Sequence, residues 1–284
     1  MRIPVEKIVA SLAVIFLVGG CANTPSNKSF SGAPNLIYEY DFKSWIKAQE
    51  KMSEDLIVMS FSGGGLRATT LAASVLDQLK DQGLANKIAL ISSTSGGSVA
   101  AGYFAAKGVE GMTEFRNQFL YNDNTSDLTH LLLPSFLSGS NRSQQFAGYL
   151  DERLFQRKSP TYQDLIRRWN KDRAPFVVLN ASDMSSGWTF EFTQESFSYL
   201  CSDLTEFRIS EAMAASAAFP FLMTPIPLRN HWDKPNCSDK MSLDKEYKEV
   251  FGNRYTNLAK FVKARYYREI VKCCVWQLNQ AATL

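Results

Sequence analysis

The chain has 284 residues, 45% of them hydrophobic, and a formal net charge of +3. That length and apolar content suit one α/β domain with a sizeable core. A charge this mild does not argue for nucleic acid, and the basic stretch "RRWNKDR" at 167–173 reads as a solvated helix face. No internal repeat is visible.

The first segment, "MRIPVEKIVASLAVIFLVGGC", places Arg2 and Lys7 before an apolar run from Ile8 to Val18. The run is shorter than the roughly 20 residues a membrane span needs, so residues 1–20 read as a secretory signal. Its ending, "VGGC", resembles a bacterial lipobox, in which the cut precedes the cysteine and the cysteine receives lipid. Cys21 is therefore the expected lipidation site, and a bacterial cell envelope the expected location, on the periplasmic face or the outer membrane. "ANTPSNKSFSGAPN" follows as a flexible tether, and residues 21–54 form tether and lead-in.

A domain is expected over 55–284. "DLIVMSFSGGG" (55–65) predicts a buried strand ending in a glycine turn, and 66–83 an amphipathic helix stopped by Gly83. "KIALIS" (87–92) predicts a second buried strand, and 96–108 a small-residue helix stopped by Gly108. Strand, helix, strand, helix is the pattern of a parallel sheet with helices on both faces. Signals over 109–150 are mixed, with an apolar run broken by Pro134 that suits a cap over the active-site face. A helix is predicted over 161–170, a strand over 174–184, alternating strand-like residues over 187–193, and a helix over 209–220. "FLMTPIPL" (221–228) reads as irregular or extended, and the stretch beyond Leu228 as helical and charged, with no further strong strand.

Five cysteines occur, Cys21, Cys201, Cys237, Cys273 and Cys274, with no CxxC pair. A zinc site has no support, and no metal or cofactor is expected. Cys201 and Cys237 could pair in an oxidising compartment, but connectivity stays open.

Two glycine turns carry the chemistry. "SSTSGGS" places Ser95 between a strand and a helix, with Ser93, Gly96 and Gly97 as small neighbours. This approximates the G-x-S-x-G elbow, which lifts a serine hydroxyl clear of its own backbone, with Ser93 in place of the first glycine. A helix-capping serine is the plainer alternative. One βαβ unit earlier, "SGGGLR" places Gly63, Gly64, Gly65 and Arg67 at the start of a helix. Backbone N–H groups exposed there favour an oxyanion. The same glycines fit a dinucleotide fingerprint, but the next strand ends "ALISSTS" without the acidic residue that reading needs.

With these motifs in this order and spacing, the chain resembles the patatin-like phospholipase family over residues 55–228. "NASDMSSGWTFEFT" and "ISEAMAASAAFPFLMTPIPL" also look like segments of its bacterial members. The resemblance implies a three-layer α/β/α fold with a mainly parallel central sheet. It also implies lipid acyl hydrolysis by a serine–aspartate dyad, with a membrane lipid or lysolipid as substrate. Ser95 takes the nucleophile position, and Gly63, Gly64, Gly65 and Arg67 the oxyanion loop.

The family's aspartate stands in a D-G-G or D-G-A motif, and this sequence contains no Asp-Gly pair. Asp233, Asp239 and Asp244 follow the last predicted helix in a polar stretch that reads as a solvated loop. The expectation is a C-terminal part left incomplete just before the dyad residue, by truncation or a shifted frame. A histidine base is the substitute to weigh. His231, oriented by Asp183 or Asp203, has the right chain order but reads as exposed; His130 is the other histidine. Two readings follow: a lipid acyl hydrolase of impaired activity, or a membrane-anchored lipoprotein that keeps the fold without the chemistry.

Overall fold

Three apolar runs, each followed by a turn of small residues, form three neighbouring strands of the sheet. Those at Ile88–Thr94 and Phe176–Ser182 are largely buried. Ile57–Phe61, expected as a buried strand, lies at the edge of the four-stranded sheet with Val58 67% exposed, because a single neighbouring strand covers it. The computed structural model describes residues 25–30, 40–49, 55–130, 140–184, 187–198, 200–219 and 222–231, and a strand at 273–275. In chain order these hold β1 (Lys28–Ser29), α1 (Phe42–Ala48), β2 (Ile57–Phe61), α2 (Gly65–Asp81), β3 (Ile88–Thr94) and α3 (Gly96–Lys107). Next come α4 (Met112–Phe115), which runs into a π-helical turn at Arg116–Leu120, α5 (124–130), α6 (Arg142–Phe155) and α7 (Tyr162–Asp172). β4 (Phe176–Ser182), β5 (Thr189–Glu191), α8 (Gln194–Ser198), β6 (Ser202–Asp203), α9 (Ile209–Ala217), β7 (Ile226–Leu228) and β8 (Cys273–Val275) complete the order.

The sheet runs β2-β3-β4-β5. β2 and β3 are parallel with Phe61 beside Ser93, β3 and β4 are parallel with Thr94 beside Asn180, and β5 is antiparallel to β4. The α/β expectation holds: the sheet is mixed, mostly parallel and flanked by helices. All three parallel strands end on one edge, so the turns after Phe61, Thr94 and Ser182 lie side by side there.

One face of the sheet meets α3. Ile91 and Ser93 on this face are almost fully buried, and Ser93 approaches Ser98 of α3. Small residues let the layers close, since α3 buries Ala100, Ala101 and Ala105, and α9 buries Ala212, Ala214 and Ala215. A Cβ on Gly102 of α3 would lie 3.0 Å from Met213 Cγ of α9, so these helices meet nearly backbone to side chain. The opposite face is closed at the start of β4 by aromatic rings. Phe176 there touches Phe42 of α1, with ring centroids 5.8 Å apart, and Tyr40, with centroids 5.1 Å apart. The Tyr40 hydroxyl donates to the Val177 carbonyl at 2.8 Å, and Trp45 Nε1 to the Ala174 carbonyl at 2.9 Å.

The structure adds to the sequence reading in several places. Residues 27–29 read as tether, yet β1 pairs antiparallel with β6 and the Asn27 amide donates to the Ser202 hydroxyl at 3.0 Å and to the Arg229 carbonyl at 2.8 Å. The mixed stretch after Gly108 holds α4, α5 and the start of α6. Within 221–228, Ile226–Leu228 is a strand, and it pairs with Cys273–Val275, where no strand was expected. Cys201 is disulfide-bonded. The proposed cap around Pro134, together with Cys21, Cys237, Asp233, Asp239 and Asp244, lies outside the described residues. Among the described residues, no helix is long and apolar enough to cross a membrane.

Candidate active site

Ser95 occupies the single residue between β3 and α3 and has φ 55° and ψ −125°. A side-chain-bearing residue rarely adopts this conformation, and holding it costs on the order of 1–3 kcal/mol. The surroundings therefore have to impose it. The Ser95 backbone N–H donates to the Ser216 hydroxyl of α9 at 2.9 Å, and the Ser95 carbonyl accepts from Ser98 N–H at 2.9 Å. The Ser95 side chain makes no capping bond to its own helix. The plainer alternative, a helix-capping serine, is thus not what the hydroxyl does.

The glycine loop lies directly against this elbow. A Cβ on Gly96 would sit 2.0 Å from the Gly65 carbonyl oxygen, and one on Gly97 would sit 2.8 Å from the Ser62 carbonyl oxygen. Both distances are far inside contact, so these two positions accept only glycine while the loop stays in place. Thr69 fastens the two turns together, its hydroxyl 3.1 Å from the Gly65 carbonyl and 2.8 Å from the Gly96 carbonyl. Gly64 and Gly65 have φ of 141° and 57°, which explains why the loop itself is built from glycine. α2 begins at Gly65, and no side chain caps its N-terminus. The positive end of a 17-residue helix is thus presented next to Ser95. Gly63 is exposed, as is Arg67 in the first turn of α2.

Behind the elbow runs a buried chain of hydroxyls. The Ser216 hydroxyl lies 2.8 Å from that of Ser98 and 2.6 Å from the Asn180 carbonyl. Ser98 lies 3.1 Å from Ser93, whose hydroxyl donates to the Val178 carbonyl at 3.3 Å. The Asn180 side-chain amide donates to the Ser93 carbonyl and to the Ser92 hydroxyl, both at 3.0 Å. Ser93, placed at the first-glycine position of the elbow, is therefore also a bracing residue. Ser216, Ser98, Asn180 and Thr69 do not stand out in the sequence. The signal available was a serine among alanines in "AMAASAAFP" and an asparagine at the end of a strand.

The substitute bases sit elsewhere. His130 is exposed on α5. His231 reads as exposed in the sequence but is 7% accessible, because its N–H donates to the Leu200 carbonyl at 2.9 Å and its Nε2 lies 3.2 Å from the Asn27 carbonyl. Asp203 accepts from the Thr205 N–H at 2.8 Å and from its hydroxyl at 2.7 Å, closing a local turn. Asp183 closes the β4–β5 hairpin, where its N–H donates to the Trp188 carbonyl. Among the described residues, no side chain hydrogen-bonds the Ser95 hydroxyl, and no cluster of His, Cys, Asp and Glu is arranged to hold a metal.

No significant match is found among curated proteins. Several solved structures are distantly similar, two of which are named here. The full-length ExoU–SpcU complex from the type III secretion system of Pseudomonas aeruginosa is 14% identical, with a TM-score of 0.39, over 62% of this chain and 40% of that one. Human GIVD cytosolic phospholipase A2, in complex with methyl gamma-linolenyl fluorophosphonate, is 14% identical, with a TM-score of 0.39, over 75% of this chain and 35% of that one. The chain thus spans well under half the length of these structures. The model of the patatin-like phospholipase family matches residues 59–239, which hold both glycine turns, the end of β2, all of β3 and β4, and α9. The chain belongs to the patatin-like phospholipase family, a family of lipid hydrolases.

Proposed function

We propose that this chain is a lipid acyl hydrolase in which Ser95 is the nucleophile and the Gly63–Gly65 loop the oxyanion hole. The observation that carries the reading is the seating of the glycine loop against Gly96, next to a serine held at φ 55°. The Ser95 oxygen attacks the ester carbonyl carbon and forms a tetrahedral intermediate whose negative oxygen faces the N-terminus of α2. Collapse breaks the ester C–O bond, and the alcohol leaves with the serine's proton. Water then releases the fatty acid from Ser95 and restores its hydroxyl. Arg67 is suited to an anionic head group.

The proton on Ser95 needs a carrier, and a positioned base contributes typically 10²–10⁴-fold. This chain has no Asp-Gly pair to supply the family's aspartate. An oxyanion hole and binding alone retain roughly 10³-fold over water. The activity is therefore weak rather than absent. A chain that keeps the fold without the chemistry is the second reading, favoured by the lack of any side chain bonded to the Ser95 hydroxyl among the described residues. Lipidation of Cys21 and residence on a bacterial envelope membrane remain part of the proposal and rest on the sequence alone. Hydrolysis of a short-chain nitrophenyl ester tests it: Ser95→Ala should abolish turnover, and turnover equal to that of the parent chain would reject Ser95.

A further inference from the structure

Away from the elbow, the π-helical turn after α4, together with α5 and the end of α6, lines an open cavity of about 790 Å³. These elements pack against the second half of α3, where the Tyr103 ring lies 4.8 Å from that of Phe115 and 5.8 Å from that of Phe155. At 1.5 Å per residue, Tyr103 stands about 10 Å along α3 from the elbow. None of the residues placed at the elbow lines this cavity. Its volume falls in the range of small-ligand sites, about 300–1,000 Å³, most of which are apolar. This one is not: every described side chain that lines it bears a polar group.

The π-helical turn builds one wall. The Tyr121 N–H donates to the Arg116 carbonyl at 3.0 Å, five residues back, and the Asn117 carbonyl accepts the Asn122 side-chain amide instead, at 3.1 Å. The Gln118 carbonyl accepts the same amide at 2.7 Å. Single π turns of this kind are frequent at functional sites. Glu114 fixes how the Gln118 side chain is turned, because it accepts from Nε2 at 2.7 Å. The Gln118 Oε1 is left buried with no hydrogen-bond partner among the described residues. A buried acceptor without a donor is costly, and a ligand O–H or N–H would relieve it.

We propose that this cavity binds a neutral carbohydrate. The site is separate from the hydrolase reading and does not depend on it. Charge argues against an ionic ligand. The Arg153 guanidinium is paired with Asp127, and Glu152 with Arg157 at 2.9 Å, so each lining carboxylate and guanidinium already has its counter-charge. What the lining offers is neutral donors and acceptors: Asn117, Gln118, Asn122 and Gln156 each bring an amide with both. A sugar matches this, because its adjacent hydroxyls donate and accept at once. Its C–H faces are apolar, and the Tyr121 ring, 73% exposed, stands at the same turn beside Asn122. An aromatic ring with one polar tip suits such a half-apolar ligand.

The test is titration calorimetry of the full chain with two neutral sugars, triacetylchitotriose and maltotriose, and with inorganic phosphate as the charged comparison. The expected result is saturable binding of at least one sugar, with a millimolar or smaller Kd that phosphate leaves unchanged. Gln118→Met keeps the length of the side chain and removes the buried acceptor, so it should weaken that binding about tenfold, the equivalent of one hydrogen bond. It also takes a donor from Glu114, so a second variant guards against a merely structural effect. Asn117 is exposed, and Asn117→Ala should weaken binding about threefold while the melting temperature stays that of the parent. A parent chain that binds neither sugar, or from which phosphate displaces the sugar, would overturn the proposal. So would an Asn117→Ala variant, or a folded Gln118→Met variant, that binds as tightly as the parent, because the sugar would then sit elsewhere.

Discussion

The hydroxyl of Ser216 accepts the backbone N–H of Ser95 at 2.9 Å, across 121 positions of sequence. Ser216 is fully buried and also reaches the Asn180 carbonyl, so a single side chain joins α9, β4 and the elbow. Its role is positional: it holds the strained backbone of Ser95 from within the core. Ser216→Ala should destabilise the chain by roughly 1–3 kcal/mol, the cost of buried donors and acceptors left unpaired. If Ser95 is the nucleophile, kcat should also fall, by up to about 10²-fold, with KM little changed, because a misplaced reacting group loses orientation. Thermal unfolding and ester kinetics on one preparation separate the two effects.

Glycine substitutions should divide sharply by place. Gly96→Ala drives a methyl group into the Gly65 carbonyl, where nothing flexible can give way, and should yield little folded protein. Gly148, exposed on α6 with nothing within 4 Å of its would-be Cβ, is the contrast. Gly148→Ala should stabilise by up to about 1 kcal/mol through helix propensity. Equal melting temperatures for the two variants would contradict the close seating of the glycine loop.

Glu195 should make stability depend on pH. Burial first, then the neighbouring carboxylates Glu191 and Asp41, push its pKa up to about 7 from an ordinary 4.5. The folded state thus disfavours the ionised form. The sign follows: stability is greatest below the ordinary value and is lost as pH rises through about 7. For a fully buried group, a tenfold change in proton affinity on folding corresponds to about 1.4 kcal/mol. Glu195 is only partly buried, so a net effect of about 1 kcal/mol is expected. Glu195→Gln should melt a few degrees above the parent at pH 8 and show no such advantage at pH 4.5.

The three aspartates that follow α9 in sequence test the missing dyad. Asp233→Asn, Asp239→Asn and Asp244→Asn should each change ester hydrolysis little. A loss of about 10²-fold in one of them, with folding intact by circular dichroism, would identify that residue as the base and make the chain a full enzyme.

Cys21 should carry lipid. Cells fed a radioactive fatty acid should label the parent chain and not Cys21→Ser. Equal labelling of both would dismiss the lipobox reading.

What the sequence by itself determined is the local backbone logic. Three β-branched and apolar runs, each closing on small residues, were legible as strands. The glycines at 64–65 and 96–97 marked places where L side chains do not fit, because positive φ and backbone contact are demands that composition records directly. The helices between Gly108 and Phe155 were not legible, since α6 mixes Arg142, Ser143 and Asp151 into its buried face and blurs the apolar period. Tertiary structure alone decided which groups meet. His231 becomes buried because Leu200 and Asn27, far away in sequence, supply its partners. Ser216 reaches Ser95, and Asn180 reaches Ser93, because parallel strands end on a common edge and a small-residue helix packs close against them. Such partnerships span tens to more than a hundred residues and impose no period on the chain, so they become visible only when the layers are assembled.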